Sequence, residues 1–162
     1  MLARIQVGLK PSLNDSFGEK TRKKIRTDLG LEIAEVRTIK IVTVEAEISE
    51  EQLAQAASGP YCDPVTQEWS LSPLALKWGS NFDWLIEVGF RPGVTDNEGR
   101  TAAQALEIMI GRKLERSEAV YTSVQFLISG AISREDAGVI ARKSLANELI
   151  QRFTIMNQAE FK

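Results

Sequence analysis

Apolar and polar residues alternate along 2–9 and again along 84–90, the period-two pattern of a half-buried strand. A turn follows each strand, from Lys10-Pro11 to Gly18 and from Arg91-Pro92 to Gly99, and then a helical stretch runs to Gly30 or Gly111. Both glycines stand where a helix takes a C-terminal stop. In the first helix Phe17, Thr21, Ile25 and Leu29 recur every four residues and predict one packing stripe; Ala102, Leu106, Met109 and Ile110 serve the second. The stretches 36–48 and 120–132 are β-rich and read as one bent strand or a tight hairpin. Ser49-Glu50-Glu51-Gln52 has capping-box spacing, with Ser133-Arg134-Glu135-Asp136 a weaker version, so a second helix is predicted in each half. Final strands are predicted over about 64–71 and 148–155.

The two halves repeat each other. Ile5-Gln6-Val7-Gly8-Leu9-Lys10-Pro11 returns as Ile86-Glu87-Val88-Gly89-Phe90-Arg91-Pro92, and 92 minus 11 gives an offset of 81. The same offset relates Asp15 to Asp96, Gly18 to Gly99 and Gly30 to Gly111. It then becomes 84, pairing Val36/Val120, Thr38/Thr122, Ile48/Ile132, Ser49/Ser133, Glu51/Glu135 and Gln67/Gln151, which implies a small insertion near Lys113 to Glu118. The expected fold is therefore α+β and two-layer: two tandem β-α-β-α-β repeats with antiparallel sheets forming a covalent pseudo-dimer with approximate two-fold symmetry. Residues 1–72 and 84–162 are the repeats. Residues 73–83 are the linker, marked by Ser72-Pro73 and Gly79-Ser80-Asn81, with Trp78 and Trp84 packing its edge. A β-α-β-α-β unit leaves one sheet face or edge uncovered, and a second copy fused in tandem supplies a partner for it.

Composition narrows the chemistry. The chain has 162 residues, 43% hydrophobic and 26% charged, a balance suited to a globular fold. No apolar run approaches the roughly 20 residues a bilayer span needs. The chain enters a strand pattern at once, so no signal peptide is expected, and a lone cysteine, Cys62, suits a reducing cytoplasm. A net charge of −2 gives no bulk attraction to nucleic acid or anionic membrane. With no histidine and one cysteine, Ser-His-Asp and Cys-His catalysis and the usual zinc sites are unavailable. No catalytic, cofactor-binding or metal site is expected.

Three features invite a functional reading beside a plainer one. The first turn keeps a basic residue, proline, aspartate and glycine in both halves. A helix N-terminus there suits a phosphate, but Asp15 and Asp96 also fix a turn, and Gly18 and Gly99 take a special backbone angle on that reading. Lys20, Arg22, Lys23, Lys24 and Arg26 make the first helix basic, whereas the second half carries Thr101, Ala103, Gln104, Ala105 and Glu107 there. The basic face is thus a docking surface or a solvated helix face; no stacking aromatics interleave the charges, which disfavours single-stranded nucleic acid. Helix 101–110 is apolar around much of its circumference and suits contact with another protein. Arg22, Lys23, Arg26 and Met109 are the candidate partner contacts. Cys62 has no cationic neighbour to activate it. Glu45, Glu47, Glu50 and Glu51 lead into a helix start, where acids favour the dipole, rather than forming a metal cluster.

Leu9-Lys10-Pro11, Asp15 and Gly18, with Arg91-Pro92-Gly93-Val94, Asp96, Gly99 and Ala146-Asn147-Glu148-Leu149-Ile150-Gln151, resemble the small, non-catalytic (PurS) subunit of phosphoribosylformylglycinamidine synthase, once per half. The resemblance implies a sheet-mediated dimer that bridges a glutaminase and an ATP-dependent synthetase, which together turn formylglycinamide ribonucleotide into the amidine. The large single-chain version of that enzyme has an N-terminal domain resembling a dimer of the small subunit. The chain is then a free-standing fused pair or the N-terminal piece of a longer synthetase, with the synthetase and the glutaminase as partners and further self-association open. The alternative is a tandem ferredoxin-like module that senses a small metabolite.

Overall fold

A computed structural model describes residues 1–78 and 81–161. The linker markers Gly79 and Ser80, and the last residue of the second repeat, Lys162, lie outside the described residues. In chain order the elements are β1 (Leu2–Leu9), α1 (Ser16–Leu29), β2 (Glu35–Glu45), α2 (Glu50–Ser58), β3 (Gln67–Ser70), α3 (Leu74–Lys77), β4 (Trp84–Phe90), α4 (Asn97–Ile110), β5 (Ala119–Ser129), α5 (Arg134–Ile140), β6 (Gln151–Asn157) and α6 (Gln158–Phe161). Helix α5 continues into a π-helical turn, Ala141–Leu145. The fold is α+β, as expected, with one continuous antiparallel sheet in the order β3-β1-β2-β5-β4-β6 rather than two.

The centre of that sheet is the β2–β5 ladder, which runs through eleven pairs from Glu35↔Ser129 to Glu45↔Ala119. Each β-rich stretch is a single strand, which decides between strand and hairpin. Each half contributes three strands with the same pairing pattern. Strand β1 pairs with β2 and β3 in one half, and β4 with β5 and β6 in the other. At the midpoint of the central ladder Lys40 faces Val124, residues that the offset of 84 makes counterparts.

The helices cover one face, and they do so across the seam. Beneath α2 and α4, one core cluster joins Ile5, Val7, Val42, Val44 and Leu53 to Ala102, Leu106 and Val120 of the other half. Beneath α1 and α5, a second cluster joins Ile86, Val88, Phe126, Ile128 and Ile140 to Ile25, Ile33 and Val36. The first helix of each half thus completes the apolar core of the other. Tyr61 ties this together by donating from its hydroxyl to the Ala102 carbonyl at 2.7 Å, and burial pushes its pKa up to about 12.

Local chemistry explains the element ends. Asp15 and Asp96 cap α1 and α4 by accepting from the Gly18 and Gly99 N–H groups, each at 2.8 Å. The same carboxylates accept from the backbone N–H groups of Thr38 and Thr122 at 2.6 Å, tying each helix start to the sheet. The expectation of a special angle at Gly18 and Gly99 is corrected. Positive φ among the described residues belongs to Gly30, Gly93 and Gly111. What Gly18 supplies is room, since a Cβ there would lie 2.0 Å from the Val36 carbonyl oxygen. Both second helices carry complete capping boxes, so Asp136 serves as well as Gln52.

The last strands start later than the pattern suggested, at Gln67 and Gln151. Asp63 accepts from the Val65 N–H while the Gln67 side chain accepts from the Asp63 N–H, and Asn147, Leu149 and Gln151 repeat the arrangement. These side-chain bridges hold the chain in a turn and delay sheet pairing. Phe17 departs from its stripe. At the first turn of α1 it is 53% exposed, with its ring tilted against that of Phe126 at a centroid distance of 5.8 Å.

The residues expected to be a plain linker build structure. Residues 71–78 and 81–83 lie on the sheet face opposite the main helices, where Leu74, Ala75 and Phe82 bury Ile39, Ile41, Leu85 and Leu127. Trp78 lies against Gly8 and donates its indole N–H to Glu68, with the Arg37 guanidinium 5.3 Å from the ring centroid. Trp84 donates to the Ile132 carbonyl at 3.1 Å.

Because Leu106 is fully buried in a cluster made mostly by the other half, Leu106→Ala is expected to cost about 2–5 kcal/mol. Hydrogen exchange should show the loss in α2 of the first half as well as in α4; a loss confined to α4 would contradict the shared core.

Candidate functional site

The candidate contacts lie on two helices of the same layer, and their environments differ. On α1, Arg22 is held by Glu19 through Nε to Oε2 at 2.9 Å and Nη2 to Oε1 at 2.6 Å. That bidentate pair raises the Arg22 pKa and lowers that of Glu19. Arg26 pairs with Glu32 at 3.1 Å, and the Lys24 ammonium donates to the Ser144 carbonyl at 3.4 Å. Lys23 stands exposed beside Lys20 at the rim of a shallow cleft formed with Asn14, Glu35 and Arg37. The basic helix is therefore partly neutralised by Glu19 within it and Glu32 beyond its end, and Lys20 and Lys23 are cations it offers outward.

On α4 the exposed apolar residue is Ile108 rather than Met109. Met109 is half-buried and packs on the first core cluster, whereas Ile108 is 83% exposed. Helical geometry contains this signal: Ala102 and Leu106 set the inward direction, and Ile108 lies two residues, or about 200°, from Leu106. Arg22, Lys23 and Arg26 come together on α1; Met109 lies apart on α4.

The N-terminus of α1 is filled from within. Asp15 accepts from Gly18, and Glu19 follows in the first turn, so the donors and the dipole there already face carboxylates. Cys62 is buried, and burial together with the neighbouring Asp63 charge pushes its thiol pKa up, away from the reactive thiolate. Among the described residues no group of three or more His, Cys, Asp or Glu is arranged to hold a metal ion. None of the helices described is long and apolar enough to cross a membrane.

The insertion near 113–118 forms a clasp to the first half, a feature the sequence did not disclose. Glu118 accepts from Arg112 at 2.7 and 2.9 Å, from the Glu115 N–H at 2.8 Å and from the Glu47 N–H at 2.7 Å. Arg112 also donates to the Glu47 carbonyl at 3.0 Å. The Arg112 bonds, followed by the two backbone N–H groups, hold the Glu118 carboxyl far below the usual carboxylate range.

A carboxyl with a lowered folded pKa contributes stability above its unfolded pKa of about 4.3 and loses that contribution as acidification protonates the folded form. Glu118→Gln should therefore lower the urea midpoint at neutral pH and narrow its deficit against the parent as the pH falls below about 4. A deficit independent of pH would show that the carboxylate charge is not what the clasp uses.

A comparison with curated proteins finds no match to the chain. A comparison with protein families matches residues 2–72 to PurS, described as phosphoribosylformylglycinamidine (FGAM) synthase. The matched stretch runs from the start of β1 to just past β3 and includes Lys10-Pro11, Asp15 and Gly18. Residues 2–72 of this chain are thus similar to the PurS family of FGAM synthase.

Proposed function

We propose that the chain is the non-catalytic bridge of FGAM synthase, holding an ATP-dependent synthetase and a glutaminase together while ammonia from glutamine converts formylglycinamide ribonucleotide to the amidine. On this reading residues 1–72 and 84–162 are two PurS-like repeats, 73–83 join them, and the assembly works in the cytoplasm. The family match of residues 2–72 supports the enzyme system. The strand registers support the second repeat. Gln6↔Ser70 in one half corresponds to Glu87↔Thr154 in the other through the offsets of 81 and 84 that the sequence shows.

The observation that carries the bridging role is the inequality of the two corresponding helices. Helix α1 offers Lys20 and Lys23 at the surface, with Arg22 and Arg26 in ion pairs beside them, whereas α4 offers Ile108 flanked by Met109. A bridge needs two unlike surfaces for two unlike partners. One charged and one apolar patch on a rigid common sheet meets that need, the first acting mainly on encounter rate and the second on residence time.

The test compares Lys23→Glu combined with Arg26→Glu against Ile108→Ser in the assembled enzyme. The charge reversal is expected to slow association about tenfold or more at low salt and to converge on the parent at high salt. Ile108→Ser should instead speed dissociation. Glutamine-dependent turnover should fall in both while ammonia-dependent turnover is retained. Parent-like glutamine-dependent turnover in both would remove these two helices from the bridge.

A further inference from the structure

On the face opposite the main helices, the first half has a filled seat and the second half an open one. In the filled seat Leu74 donates its N–H to the Gln6 side chain at 2.9 Å, and Trp78 lies on Gly8, where a Cβ would come within 2.6 Å of its Cη2. The strand registers carry Gln6 to Glu87, Gly8 to Gly89 and Glu68 to Arg152. Those three residues line an open cleft of about 830 Å³. Gly89 has kept its bare surface there, yet the nearest atom to a Cβ built on it is the Ser123 Cβ at 3.4 Å, and no ring presses on it.

The cleft is open because the chain leaves the two edge strands differently. Strand β3 ends at Ser70, opposite Gln6, and the chain crosses back over the sheet as α3. Strand β6 passes the corresponding residue, Thr154, and pairs on to Asn157 opposite Trp84. Helix α6 then turns in at that far end, with Phe161 against Phe82 at a centroid distance of 5.9 Å. Among the described residues nothing covers the counterpart of the α3–Trp78 seat.

The substitutions between the seats define an occupant. Where Glu68 accepts the Trp78 indole N–H, the open seat presents Arg152, a donor on an exposed edge. Tyr121 replaces Arg37, the cation over the Trp78 ring, and it is 44% exposed. Arg4 replaces Leu85 and is engaged by Glu87 at 2.6 Å, while Glu87 also accepts from Ser123 and Gln125. The Glu87 carboxylate is thus engaged from within, while the buried Gln125 Oε1 has no partner among the described residues. Gly89, Tyr121, Met156 and Leu2 supply apolar contact area, and Arg152 is left to take an acceptor.

We propose that this cleft is the docking seat for a short helical segment of a partner protein, one that carries an aromatic ring for Gly89 and Tyr121 and an adjacent carboxylate for Arg152. The segment takes the place that residues 74–78 take on the other half. The inference stands on the register and the substitutions, and it does not depend on which protein of the proposed assembly supplies the segment.

The test uses amide shifts of the labelled chain on titration with a peptide copied from residues 72–78 but carrying Lys77→Glu and Trp78→Phe, alongside the unaltered peptide. The acidic peptide should give saturable shifts at Gly89, Ser123 and Thr154, with an affinity at least threefold above that of the unaltered one. Arg152→Glu, on an exposed edge strand, should reverse that preference, and Gly89→Leu should abolish binding by filling the seat. The proposal fails if no saturable shift appears up to millimolar peptide. It also fails if Arg152→Glu leaves the preference unchanged, or if glutarate alone reproduces the shifts, which would make the cleft a small-carboxylate site.

Discussion

The eleven-pair β2–β5 ladder is the constraint on which everything else in this molecule depends. It merges two three-stranded units into one sheet and removes two long edges that would otherwise invite pairing with other chains. It also sets where each first helix lies. Helix α1 is anchored by Asp15 to Thr38, and α4 by Asp96 to Thr122, so fixing the two central strands fixes both helices over the seam. From that position Ile25 and Leu106 reach the core of the opposite half. Neither apolar cluster is complete within one half, and the repeat visible in the sequence is not a physical boundary in the core.

Much of this was legible in the sequence because it rests on local patterns. Strand alternation, the glycine stops at Gly30 and Gly111 and the Ser49 capping box each depend on residues within a few positions of one another. What was not legible depends on distant contacts. Gly18 looked like a turn glycine, but its role is set by the Val36 carbonyl, and no local rule reveals that approach. Residues 73–83 looked like a spacer because proline, serine and glycine mark it, yet Leu74, Ala75 and Phe82 are core residues whose partners lie on four strands. On the candidate surface, the basic face of α1 was readable but its neutralisation by Glu32 across a turn was not. On α4 the angle from Leu106 accounts for the exposure of Ile108, while Met109 beside it packs partly on the core.

A repeated fold need not yield repeated surfaces. The sheet and the main helix layer follow one pattern, whereas the rest of the surface diverges: lysines on one first helix, isoleucine on the other, a covered seat under Trp78 and an open one at Gly89. Buried positions are held to a common pattern by packing, since a changed volume costs stability at once. Surface positions carry no such cost and are free to take separate tasks.

The central ladder also has a consequence in time. Its pairs join residues far apart along the chain, from Glu45 and Ala119 to Glu35 and Ser129, so its closure is a late, non-local event. During synthesis the β2 edge, with Ile39, Ile41 and Val42 along it, waits unpaired until β5 has emerged. Through that interval another unpaired β2 edge is a competing partner. Slow synthesis or a crowded ribosome would therefore favour intermolecular pairing, and the interval between the two strands sets the period of greatest aggregation risk.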